Sequence, residues 1–166
     1  MYRPKRILLL LVILLTVAIG FIPTANAKYR ANVQNQGPVL VAQVNGEIDL
    51  AAETYLSQAV DSAEAIEARL LVVLLDTPGG TVSSVSSIME AFDGSSVPVA
   101  VFVYPSGAVA WSGGTYLLMA SHIAVMASAT TIGSCQPVSE TGVPIEDSKY
   151  INALVGLMVS YAERHC

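Results

Sequence analysis

Basic side chains are scarce in this sequence, and their scarcity removes whole classes of function. From residue 28 onward there are five, Lys28, Arg30, Arg69, Lys149 and Arg164, against thirteen acids, which leaves this part near −8. With no basic patch and no aromatic-basic interleaving, nucleic acid is excluded as an expected partner. Cysteine is equally sparse. Cys135 and Cys166 are too few for a disulfide framework and have no metal-ligand spacing with His122 or His165, the only two histidines. Cys135 lies in an apolar run and reads most simply as a buried small hydrophobe; a single bridge to Cys166 stays open. The phosphate-cradling GxGxxG and Walker patterns are missing, and there are no internal repeats.

What the chain has in excess is apolar surface, 53% of its residues, a high share for a soluble domain. The N-terminus accounts for part of it. Arg3, Lys5 and Arg6 precede an almost unbroken apolar run, Ile7 to Ile22, and Ala25-Asn26-Ala27 forms an A-x-A cleavage site. Residues 1–27 therefore read as a secretory signal peptide, with an uncleaved membrane anchor as the alternative. Either way the rest of the chain is expected outside the cytoplasm. Residues 28–37 read as a polar linker and 38–166 as one domain.

Within that domain, buried-strand and helical patterns alternate. Pro38 to Gly46 and Leu70 to Leu75 are strand-like, the second (LLVVLL) continuous enough for a strand covered on both faces of a parallel sheet. Glu47 to Arg69 carries apolar residues at helical spacing, and Thr81 to Asp93 reads as a second helix. Val97 to Tyr104 is a third strand, residues 113–120 suit a helix, and Ile123 to Met126 a fourth strand. The order β-α-β-α-β-α-β argues for an α/β fold with a mostly parallel sheet flanked by helices. Function then gathers in the loops beyond the carboxyl ends of the strands. Two such loops are rich in glycine, Asp76 to Gly80 and Pro105 to Gly114.

Ser112 sits in the second loop between Trp111 and Gly113-Gly114, ahead of an apolar helical run. A serine so placed is either a helix N-cap or a nucleophile presented on a tight turn, with free backbone N–H groups beside it. Gly79-Gly80 is either a plain turn or a source of N–H donors for an oxyanion. A nucleophilic serine needs a base. His122 precedes an apolar strand and reads as structural, and His165 is in the last two residues. Lys149 opens the apolar run Tyr150 to Tyr161. Against apolar surface at a helix N-terminus its ammonium would be disfavoured, making it a candidate base; the alternative is a snorkelling surface lysine.

The ordered series LLDTPGG, YPSGAVAWSGGTYLLMASHIAVM, TTIGSCQPV and DSKYINALVGLMVSYAER resembles the ClpP-class domain of NfeD-type membrane-bound serine proteases, partners of stomatin-like proteins. That family is in turn similar to signal peptide peptidase A and the Clp proteolytic subunit. The resemblance spans roughly residues 37–166 and implies a ClpP/crotonase-like fold. It implies Ser112 as nucleophile, Lys149 as general base, and Gly79, Gly80 and Gly113 as the oxyanion hole. It implies a protein or peptide substrate with hydrophobic segments, a stomatin-like membrane protein among them, membrane association, a homo-oligomer, and no metal or organic cofactor. Trp111 stands where the family has a small residue and Val109 where a serine is common. The chain stops at Cys166 where the family continues, so 38–166 is expected to be an incomplete, C-terminally truncated protease domain. Two rivals share the fold. One is a catalytically inactive interaction module; the other is a crotonase-type acyl-CoA enzyme, disfavoured by the signal peptide because acyl-CoA pools are cytoplasmic.

Overall fold

Strand β2 (Leu70–Asp76) is the spine of the molecule, because its alternate residues Leu71, Val73 and Leu75 are fully buried. It pairs in parallel with β1 (Val39–Asn45) on one side and β3 (Val99–Val103) on the other, and β3 pairs in parallel with β5 (Ile123–Met126). The resulting four-stranded sheet has the order β1-β2-β3-β5. The computed structural model describes residues 37–139 and 141–165. The expectations for residues 1–27, for the linker as far as residue 36 and for Cys166 lie outside them.

Three helices supply the crossovers that parallel pairing requires: α1 (Leu50–Ala65), α2 (Val82–Gly94) and α3 (Gly113–Ala120). Asp49 starts α1 by accepting the Ala52 N–H at 2.9 Å, so the helix is shorter than its periodic pattern, and Glu67, at φ 49°, lies beyond its end. The buried faces of α1, α2 and α3 contribute Leu56, Val60, Ile88, Phe92 and Leu117 to a core shared with Leu71, Val73, Leu75, Val99, Val101 and Val103. Each such side chain contributes about 1.5–3 kcal/mol by leaving water. The expectation of a β2 covered on both faces is met on this face alone. On the other, Val72 and Leu74 are half-buried among the described residues and Val41 of β1 is 56% exposed.

Two strands were not expected. β4 (Val109–Trp111) and β6 (Thr131–Gly133) form a separate two-stranded parallel sheet. It is stitched to the end of β2 through Thr77, whose N–H donates to Val109 O at 2.7 Å and whose carbonyl accepts the Trp111 N–H at 3.0 Å. A last helix, α4 (Ser148–Glu163), has no buried residue. Asp93 anchors its end, accepting the Tyr161 hydroxyl at 2.6 Å and the Arg164 guanidinium at 2.7 Å. No helix among the described residues is long and apolar enough to cross a membrane.

Candidate active site

The carboxyl ends of β1, β2 and β3 lie at one edge of the parallel sheet, and the glycine-rich loops meet there. Gly46 N–H donates to Asp76 O, Ile48 N–H to Gly79 O at 2.8 Å, and Thr81 N–H to Ile48 O at 3.0 Å, so the loop after β1 holds the Asp76–Gly80 turn in place. Asp76 in turn receives the Val109 N–H on Oδ1 at 3.0 Å, which ties that turn to the strand leading to Ser112.

Ser112 occupies the single residue between β4 and α3, with φ 47° and ψ −117°. A non-glycine residue at such angles costs on the order of 1–3 kcal/mol and persists only where its surroundings over-determine it. Here they do. Ser112 N–H donates to Gly133 O at 2.7 Å, and its carbonyl accepts the Thr115 N–H at 3.0 Å. The buried Thr115 hydroxyl donates to Ala110 O at 2.7 Å and accepts the Gly133 N–H at 2.8 Å, locking β6 against the serine turn. Although Ser112 holds the N-cap position, its side chain makes no capping hydrogen bond. The backbone strain is spent on presenting Oγ and not on capping α3.

Gly79 and Gly80 face this serine. Gly79 adopts φ +115°, and a Cβ added there would lie 2.8 Å from the Ser112 Cβ, so only glycine allows the approach. Its N–H is not free for an oxyanion, since it donates to Thr77 Oγ1 at 3.0 Å. The Gly80 and Gly113 N–H groups have no partner among the described residues. They are neighbours, because the place a Gly113 Cβ would take is 3.5 Å from Gly80 N. As the first residue of α3, Gly113 also offers one of the N–H groups that every helix leaves unpaired at its positive end.

Ser112 lies between two depressions. On one side is a small, partly open cavity lined mainly by apolar groups, with Val85, Met89, Tyr116, Leu154 and Leu157 beside Gly80 and Gly113. Burial pushes the Tyr116 phenol up, so it stays neutral at ordinary pH. On the other is an open cleft bordered by Glu47, Pro78, Trp111, Ser134 and Gln136. Trp111 is 42% exposed, donates its indole N–H to Thr131 Oγ1 at 3.0 Å, and lines the cleft but not the cavity. The apolar cavity is thus left open by the tryptophan. Cys135 is half-buried and lines that cavity, a correction to its expected place in the core.

The structure brings Ser112, Gly79, Gly80 and Gly113 together. Lys149 it places at the exposed start of α4, outside the lining of both cavity and cleft; the later turns of the same helix reach the cavity with Leu154 and Leu157. Neither histidine lines them either. His122 accepts the Val99 N–H on Nδ1 at 3.1 Å, the structural role expected of it, and His165 meets Met119 O at 3.0 Å. Among the described residues no cluster of His, Cys, Asp and Glu could hold a metal ion.

Residues 38–165 match the family described as NfeD1b, N-terminal domain. The membrane-bound protease PH1510 of Pyrococcus horikoshii is 36% identical over 129 residues, covering 75% of this chain and 29% of that protein. Among solved structures, a lysine-to-alanine mutant of 1510-N, a membrane-bound stomatin-specific protease, in complex with a substrate peptide superposes with a TM-score of 0.70 at 35% identity. The match covers 77% of this chain and 60% of that one. ClpP1 from Listeria monocytogenes, at 19% identity, a TM-score of 0.62 and coverage of 75% and 72%, shares the fold. The fold is therefore ClpP-like. The chain spans under a third of the length of the curated relative.

Proposed function

This chain belongs to the NfeD1b N-terminal domain family, and on that premise we propose that it is a serine endopeptidase acting on hydrophobic protein segments. One observation carries the reading: a strained, uncapped Ser112 beside the unpaired N–H groups of Gly80 and Gly113, at the mouth of an apolar cavity. In the proposed reaction the Lys149 amine takes the Ser112 proton as Oγ attacks the scissile carbonyl. The oxyanion is held by the Gly80 and Gly113 N–H groups, and preorganised donors of this kind supply a large part of such rate enhancements. The ammonium then protonates the leaving amine. Water, deprotonated by the same lysine, attacks the acyl-serine; as the second oxyanion collapses the ammonium protonates the departing Ser112 Oγ, and the acid released loses its proton to solvent.

The role of base for Lys149 is supported by its place in the motif series and by the solved relative, a lysine-to-alanine mutant in complex with a substrate peptide. Catalytic contacts often tighten only with substrate bound, and Lys149 lies in the first turn of α4, at the end opposite its Asp93 anchor. An apolar substrate side chain enters the cavity, covering Val85, Met89 and Leu157. The named relatives are membrane-bound or stomatin-specific. By analogy the protein works at a membrane on a stomatin-like partner; the extracytoplasmic side is carried by the signal-peptide reading of residues 1–27 and the homo-oligomer by the family resemblance of the motif series. The exposure of Lys149 outside the cavity favours one rival, a ClpP-like module that binds such a partner without cutting it.

An internally quenched peptide with a central apolar run distinguishes the two. The protease reading predicts cleavage that Ser112→Ala and Lys149→Ala both abolish. Binding of the peptide without cleavage by the folded wild type would establish the module instead.

A further inference from the structure

We propose that Thr77 is the positioning residue of the oxyanion hole, aiming the Gly80 N–H through a hydroxyl that never touches substrate. The inference rests on the protease reading given above.

Thr77 is fully buried at the end of β2. Its Oγ1 accepts the Gly79 N–H at 3.0 Å and lies 3.2 Å from the Gly79 carbonyl oxygen, to which it donates. That carbonyl also accepts the Ile48 N–H at 2.8 Å. The Gly79 carbonyl and the Gly80 N–H belong to one peptide unit. Because that unit is planar and trans, its N–H points opposite to its C=O. Two donors drawing the oxygen toward Thr77 and Ile48 therefore direct the Gly80 N–H the other way, to the side where Gly113 lies.

The same residue fixes the serine turn. Its backbone brackets Ala110 through Val109 O and the Trp111 N–H. Its methyl Cγ2 stands 2.5 Å from where a Gly114 Cβ would be, against the first turn of α3. One side chain thus sets the spacing between the donor loop and the nucleophile. Glycine-rich loops have no side chains to hold their own geometry, so the constraint has to come from outside them.

Thr77→Val keeps the shape and the methyl and removes the hydroxyl, while Thr77→Ser keeps the hydroxyl. For peptide cleavage, Thr77→Val should lower kcat about 10- to 100-fold with KM unchanged, as misplacing a donor does. Binding of a peptide aldehyde, whose adduct carries the oxyanion, should weaken by the same factor. Thr77→Ser should restore both to within about threefold, a rescue that a merely volume-filling threonine would not give. A readout independent of catalysis runs beside it. The Gly79 amide should be protected from hydrogen exchange in the wild type, lose protection in Thr77→Val and regain it in Thr77→Ser. An inactive wild type would sink the protease reading while the amide pattern still judges the geometry. Unchanged Gly79 protection in a folded Thr77→Val protein, or a fall in kcat that Thr77→Ser does not reverse, would overturn the proposal.

Discussion

Replacing Gly79 by alanine perturbs the site at its tightest point, and the structure sets the size of the effect. The new Cβ would lie 2.8 Å from the Ser112 Cβ, 3.2 Å from Trp111 O and 3.3 Å from Gly113 N. These neighbours cannot swing aside as the end of a flexible side chain would. Two are backbone atoms, and the third is the first atom of a side chain whose backbone is pinned to Gly133. The residue would also have to hold φ +115°, where a non-glycine residue costs on the order of 1–3 kcal/mol. At about 4 °C per kcal/mol for a domain of this size, Tm should fall by about 4–12 °C. Activity should fall further, by about 100-fold, because the methyl crowds the Gly113 N–H and pushes the serine from its donors. Gly94→Ala is the matched control, since its Cβ would meet nothing within 4 Å; it should leave both quantities unchanged. Thermal melts and peptide cleavage of the two variants decide the matter. Wild-type Tm and cleavage in Gly79→Ala would show that the two loops are not packed as described.

Phe92 is fully buried in the core, so Phe92→Ala should destabilise by about 3–5 kcal/mol in denaturant titration, while at low temperature the folded fraction keeps the Ser112 turn. The anchor of α4 should respond to pH at both ends. Burial works against the Asp93 carboxylate, but the hydrogen bonds from Tyr161 and Arg164 and the Arg164 charge outweigh it and hold its pKa below the ordinary value. Its contribution is present above the ordinary carboxylate pKa of about 3.9 and is lost as pH falls through the depressed one. Burial and the hydrogen bond to Asp93 push the Tyr161 phenol up to about 12. The Tyr161 contribution is intact below the ordinary pKa of about 10 and is lost as pH rises from there through the raised one. Amide exchange across residues 148–163, corrected for intrinsic rates, should show α4 protected between those limits, and Asp93→Asn should remove the acid-side dependence.

Much of this arrangement was legible in the residues. The helix at 113–120 and the strand Ile123–Met126 stand where the pattern put them, since apolar stretches of those lengths, set off by glycine and serine, are told apart by length and flanking residues. The meeting of the two glycine loops followed from parallel topology and the rule that sites gather at carboxyl ends of strands. The three-residue strands β4 and β6 were not legible, because three residues are too few to show a period and their pairing is set by tertiary contacts through Thr77 and Thr115. A local signal for Thr77 did exist. A threonine two residues before a glycine can accept that glycine's N–H in a side-chain turn, which removes Gly79 from the free donors and leaves Gly80. The expected desolvation of Lys149 came from helix position alone. Apolar residues that follow the lysine in sequence line the cavity five and eight residues on, at Leu154 and Leu157, while the lysine itself stays exposed.

Labelling of the intact protein by a fluorophosphonate probe across pH 6 to 10, with the modified residue located by mass spectrometry, tests the central claim most directly. The account predicts a single adduct on Ser112, lost in Ser112→Ala and in Lys149→Ala. A folded wild-type protein that takes no label, or takes it elsewhere, would contradict the assignment of Ser112 as a nucleophile.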